Sequence, residues 1–142
     1  MKALRLIFLM SFYCLFTCYA FSQDSKSLVI SNMNSNEILD NLKRFSLEND
    51  YFIQNMDKEN GFVQLYYLSK GKGLFTSEYR LTINIFVVSP AENENILTLQ
   101  IKADEMYTKD FMTYYKDLGI LPEGKSYTDL LGLIKQFFDR LN

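Results

Sequence analysis

Three stretches hold side chains that could do chemistry. Asp104, Glu105 and Asp110 bring three carboxylates into one short segment, a set that could offer oxygen to a hard cation. A calcium loop needs regularly spaced ligands and a glycine at its sharp turn. This segment has neither, so it reads as a solvated loop. Glu92 and Glu94 alternate with Asn93 and Asn95, which is turn chemistry. Gly71-Lys72-Gly73 has the composition of a phosphate loop, but neither the Walker spacing nor a following helix. It reads as a hairpin connection. No catalytic residue, metal ligand or cofactor site is expected.

The N-terminus narrows the chemistry further. Lys2 and Arg5 form a basic start, Leu6 to Phe21 is almost wholly apolar, and Ala20-Phe21-Ser22 places small residues at −3 and −1 before Gln23. This is the layout of a secretory signal peptide over residues 1–22, leaving one domain over residues 23–142. The apolar run is short for an uncleaved membrane span, which needs roughly 20 residues. Cys14 and Cys18 raise a lipoprotein anchor. Tyr13, and Thr17 with Leu15, fit a lipidation site poorly, so both cysteines read as apolar filler. The protein is therefore expected to be exported, to a periplasmic or extracellular compartment.

The whole chain has 142 residues, no histidine and a net charge of −2. Without the leader's two basic residues the net charge is −4, and no cysteine remains. Histidine-dependent triads, cysteine nucleophiles, common zinc sites and disulfides are excluded. A mildly acidic chain with no basic block lacks the electrostatic driver for nucleic acid, and a polybasic membrane patch is absent too. The expectation is a protein without enzymatic activity.

Aromatic residues are the most informative feature left. With 12 Phe and 10 Tyr in the chain, one sheet face cannot bury them all. Most are core by ordinary burial preference. Phe62, Tyr66 and Phe86 fall on the outer face of the expected sheet, and Tyr107, Tyr114 and Tyr115 on an irregular segment. Tyrosine on such surfaces is frequent at interfaces. Phe62, Tyr66, Phe86, Tyr107 and Tyr114 are the candidate binding residues for a protein partner.

The elements that must position them follow from periodicity. Phe75 to Val88 and Leu97 to Ala103 alternate with period two and read as a hairpin around Ser89–Asn95. Pairing Val88 with Ile96 sets Ile85 against Leu99, Ile83 against Ile101 and Arg80 against Asp104. A slip of one residue would turn the apolar set into water. Tyr51–Met56 and Phe62–Leu68 read as strands joined by a turn at Asp57–Gly61. If Leu68 pairs with Leu74, Phe62 faces Arg80, and Phe86 lies about 20 Å further along. A bulge at Gly61 would swap the faces of the first of these strands.

Helices are signalled at both ends. Asn34 with Glu37 has the shape of a capping box before Ile38, Leu39, Leu42 and Phe45. Ser126 is the expected cap of a long helix carrying Tyr127, Leu130, Leu131, Ile134, Phe137, Phe138 and Leu141. Phe111, Tyr115 and Leu118 suggest a short helix stopped by Gly119. Ser27–Ser31 reads as a short strand. The expected fold is α+β and two-layered, a four-stranded antiparallel sheet covered on one face by the N-terminal helix and the long C-terminal helix.

The runs Asn34-Ser-Asn-Glu-Ile-Leu-Asp-Asn-Leu-Lys-Arg-Phe and Tyr51-Phe-Ile-Gln-Asn-Met-Asp-Lys-Glu-Asn-Gly-Phe-Val-Gln resemble small exported bacterial domains of TBP-like or helix-grip architecture. The barrel-assembly envelope lipoproteins of the C type are similar. The resemblance covers most of the exported chain in outline and brings no catalytic residue. It implies binding or scaffolding. Two readings follow: a cell-envelope interaction module that docks an envelope protein through aromatic residues, or a carrier of a small apolar ligand with a pocket between sheet and C-terminal helix.

Overall fold

The computed structural model describes residues 26–69, 78–91 and 94–141. In chain order they form β1 (Ser27–Ser31), α1 (Ser35–Glu48), β2 (Phe52–Asp57), β3 (Phe62–Ser69), β4 (Glu78–Ala91), β5 (Glu94–Lys109), β6 (Met112–Ile120) and α2 (Lys125–Asp139). The leader, Gly71-Lys72-Gly73, Phe75, Glu92 and Asn93 lie outside the described residues. The class is α+β with an antiparallel sheet.

The sheet has six strands rather than four. β2, β3, β4 and β5 are neighbours in that order, and β1 and β6 share the free edge of β5. β1 pairs with Glu94–Thr98 and β6 with Lys102–Lys109. Between them the edge is sealed by other groups. Leu99 N–H donates to the Lys26 carbonyl (2.8 Å), Ile101 N–H donates to the Tyr127 hydroxyl (3.0 Å), and Leu121 N–H donates to the Ile101 carbonyl (2.8 Å). A buried backbone polar group left unpaired would be costly, and these contacts let one strand carry two short partners.

β4 and β5 pair in the expected register, with Ile85 opposite Leu99, Ile83 opposite Ile101 and Arg80 opposite Asp104. The β3–β4 register differs. Phe62 faces Phe86, and it is Leu68 that faces Arg80. The expected turn at the glycines lies outside the described residues. The displacement is an even number of residues, so every side chain keeps its face. The bulge of the β2–β3 pair lies at Gln54, between Ile53 and Asn55, not at Gly61.

One face is dry. Val63, Leu65, Ile83, Ile85, Leu97, Leu99 and Ile101 join Ile38, Leu39, Leu42 and Phe45 of α1 and Tyr127, Leu130, Ile134, Phe137 and Phe138 of α2 in one cluster. The capping box at Asn34 and Glu37 is present, with both reciprocal hydrogen bonds. The helix layout departs from expectation in three ways. α1 packs on β2, β3 and β4, whereas the main backbone neighbours of α2 are β1 and α1, so α2 does not run across the sheet. α2 begins one residue before Ser126, after Gly124, with no side-chain cap. The expected short helix is β6: Asp110 and Phe111 both take positive φ (51° and 63°) and turn the chain back on itself. Thr113, Tyr114 and Tyr115 suit a pleated strand, and that preference outweighs a helical spacing with no surface to dock on.

Candidate functional site

The outer face of the sheet is built from the β2–β3 turn. Asn60 donates its backbone N–H to Asp57 Oδ1 (3.1 Å) and its side-chain amide to Asp57 Oδ2 (2.7 Å). These bonds, the side-chain one foremost, hold the Asp57 carboxyl below its ordinary range. Gly61 then takes φ 63°, and its carbonyl accepts Val87 N–H at 2.7 Å. A Cβ at Gly61 would run into the Val87 carbonyl oxygen. This close approach of β3 to β4 sets Phe62 beside Phe86, ring centroids 5.1 Å apart.

One step along the strands an amide ladder crosses three of them. Gln64 Nε2 donates to Asn84 Oδ1 (2.8 Å), and Asn84 Nδ2 donates to Gln100 Oε1 (3.1 Å). Beyond it Tyr66 lies opposite Thr82 and meets Phe52 of β2, centroids 6.4 Å apart. Phe52 is 66% exposed, Val88 61% and Phe86 40%. Phe62 and Tyr66 stand about 13 Å apart along β3. β6 lies in the sheet instead of over it, and the apolar faces of both helices join the opposite cluster, so among the described residues no element covers this surface.

The far end of the face is charged and internally paired. Arg80 Nε and Nη2 both donate to Asp104 Oδ2 (2.9 and 2.7 Å), and the guanidinium stacks 4.0 Å from the centre of the Tyr115 ring. Lys102 reaches Asp117 at 2.9 Å and Asp104 at 3.6 Å. The Asp117 hydrogen bond holds the Lys102 ammonium above its usual range, and Lys102 with the Gly119 N–H holds Asp117 below its own. The three carboxylates first considered for a cation do not converge. Asp104 belongs to this network, Glu105 has opposite parity on β5, and Asp110 is in the β5–β6 turn. Among the described residues, no group of three acidic, cysteine or histidine side chains is placed to hold a metal.

The five candidate residues thus fall in two places. Phe62, Phe86 and Tyr66 share the outer face, with Phe86 directly beside Phe62 instead of 20 Å away. Tyr107 and Tyr114 are a cross-strand pair on the β5–β6 hairpin, stacked at 5.6 Å and 20°. Nine residues of β5, about 30 Å, separate Tyr107 from Thr98, the partner of Phe86. The sequence reading missed Phe52, whose face depends on the Gln54 bulge. It also missed Phe111 and Met112, which a helix would have placed elsewhere. Asp110-Phe111 carries none of the glycine that marks a two-residue hairpin turn, so no local signal pointed to it.

Two openings bear on the ligand reading. Phe137 and Phe138 are buried, Phe137 edge-on against Phe45 and Phe138 edge-on against Phe137, and a groove of about 220 Å³ opens between β1 and α2, lined by Leu28, Ile30, Ser31, Lys135 and Phe138. An apolar groove of about 350 Å³ does open at the root of the β5–β6 hairpin, lined by Tyr79, Leu81, Ala103, Leu118, Leu121 and the serines Ser69 and Ser126.

No protein-family model matches the chain, and no curated protein does. Among solved structures the chain is similar to a DUF4468 family protein from Bacteroides ovatus, at 15% identity and a TM-score of 0.43, over 81% of this chain and 87% of that one. No helix among the described residues is long and apolar enough to cross a membrane.

Proposed function

We propose that the protein is an exported, non-catalytic interaction module of the cell envelope, and that the outer sheet face centred on Phe62 and Phe86 docks a protein partner. The supporting observation is the ring pair itself. Two phenylalanines in contact, Phe62 half-buried and Phe86 exposed, with Val88 on the same face and the Phe52–Tyr66 pair beyond the amide ladder, form apolar surface on the sheet face opposite the core. Contiguous exposed apolar surface marks interaction sites. The amide ladder between the two aromatic pairs adds hydrogen-bonding groups that give such a face specificity without net charge.

A small apolar-ligand carrier is the other reading. It is less well supported, because the groove between β1 and α2 that Phe138 lines is small for such a ligand, about 220 Å³. The test is the double change Phe62→Ser with Tyr66→Ser. The expected result is a melting midpoint close to that of the unchanged protein together with loss of partner capture from an envelope extract. Unfolding of the double variant would show that these rings belong to the core. Retained capture would place the docking surface elsewhere.

A further inference from the structure

We infer that the free edge of β1 is a docking site for an extended segment of another protein, which joins the sheet as one more strand and seats a side chain in the groove between β1 and α2. β1 ends the sheet, so among the described residues no strand lies on its outer side. Its hydrogen-bonding phase follows from one contact. Leu99 N–H donates to the Lys26 carbonyl, and Lys26 continues the register in which Ser27 faces Thr98. Antiparallel pairs alternate between bonded and non-bonded, so Leu28 and Ile30 turn their backbone groups to β5. The N–H and carbonyl of Val29 and Ser31 therefore point away from the sheet. Main-chain bonds to groups in that alternation are how an extended peptide adds to a sheet edge.

β1 is also the edge with the least protection. Proteins blunt free edges with charges, prolines and bulges. β2 has the bulge at Gln54 and closes on Asp57. β6 has Lys116 and Asp117, with a register shift beside them. β1 reads Ser-Leu-Val-Ile-Ser, with a continuous register, no charge and no proline. Its one device is its length of five residues, ended where Asn32 takes φ 62°.

Both sides of the edge offer an added strand an apolar contact. On the core side the groove of about 220 Å³ lies directly beside β1, with Leu28, Ile30 and Phe138 among its walls. An apolar cavity of about 150 Å³ accommodates benzene, so one aliphatic or phenyl side chain fits. Lys135 and Asp139 at the groove are bonded to each other (2.6 Å) and leave it without net charge. On the outer side Val29 pairs with Ile96 and Ile96 with Val88, a row that reaches the edge with Val29 48% and Val88 61% exposed. Side chains of an added strand alternate between these two sides. The occupant is thus a short extended segment with an apolar residue toward the groove and uncharged residues next to it.

The test uses the full chain, processed by the cell that makes it, and a synthetic probe, acetyl-Lys-Thr-Ile-Thr-Ile-Thr-Lys-amide. Saturating probe is expected to slow hydrogen exchange of the Val29 and Ser31 amides at least tenfold. Val29→Pro deletes an outward donor and spares the ladder to β5, a place where an edge strand tolerates proline. It is expected to weaken probe binding at least tenfold and to leave the melting midpoint unchanged. Phe62→Ser with Tyr66→Ser alters the outer face alone and is expected to keep probe binding, so the two proposals fail separately. No slowing at Val29 and Ser31 with millimolar probe would overturn the inference. So would undiminished binding in Val29→Pro. Slow exchange of both amides before any probe is added would overturn it too, because the chain itself or a second copy would then already pair the edge.

Discussion

Tyr127 joins helix to sheet through one atom. Its ring is fully buried at the start of α2, and its hydroxyl accepts Ile101 N–H at 3.0 Å and donates to the Leu121 carbonyl at 3.2 Å. Tyr127→Phe keeps the ring and strands both backbone groups. The expected loss is about 1–3 kcal/mol in urea unfolding, the usual cost of an unsatisfied buried group. The helical stripe predicts that Tyr127 is buried. It does not reveal that the hydroxyl is needed, because the need arises only where β1 stops and β6 has not begun. Phe111 gives the opposite sign. With its side chain in solvent and its backbone in the left-handed region, Phe111→Gly is expected to stabilise the fold by about 1 kcal/mol, which calorimetry will register.

At the scale of elements, parity separates costly substitutions from tolerable ones. Ile83 and Ile134 are buried on the two sides of the same cluster, so Ile83→Ala or Ile134→Ala is expected to cost about 2–5 kcal/mol. Asn84→Ala removes the centre of an outer-face amide ladder and is expected to cost about 1 kcal/mol. Arg80 shares that outer face but stands apart from this rule. Asp104 is only 5% exposed and takes two hydrogen bonds from Arg80, so Arg80→Ala is expected to cost about 1–3 kcal/mol. Urea midpoints for the four variants will check the order. β4 and β5 were legible because one face is dry, and burial fixes register. α1 was legible because its cap is local, four residues reading one another. β6 was not, because all of its side chains but Gly119's position are exposed and no burial pattern was there to be read. The β3–β4 offset was not legible, because a shift by an even number of residues keeps every side chain on its face and leaves the hydrophobic pattern unchanged.

For the whole molecule, charge placement predicts how stability changes with pH. Asp57 and Asp117 are both held below their ordinary value of 3.8, Asp57 chiefly by the Asn60 side chain and Asp117 chiefly by Lys102. A depressed carboxylate contributes stability above its unfolded value and loses it as pH falls through the folded one. These groups therefore add to the acid limb below about pH 4, each by a small amount because both are exposed. The alkaline limb has a partly buried source. Tyr51 is raised above 10.0, first by burial and then by Tyr67, whose ring centre is 4.9 Å away. In the unfolded chain its hydroxyl ionises from about pH 10, whereas the folded chain resists ionisation, so stability falls as pH rises past that point. Lys102 acts in the same sense, since its raised value gives stability below 10.5 that disappears as pH climbs through the folded value. Tyr51→Phe keeps the ring stacked on Phe45 and removes the ionisable group. Urea midpoints from pH 7 to 11 should then fall less steeply in Tyr51→Phe than in the unchanged protein. Parallel curves would mean that water reaches the Tyr51 hydroxyl in the folded state.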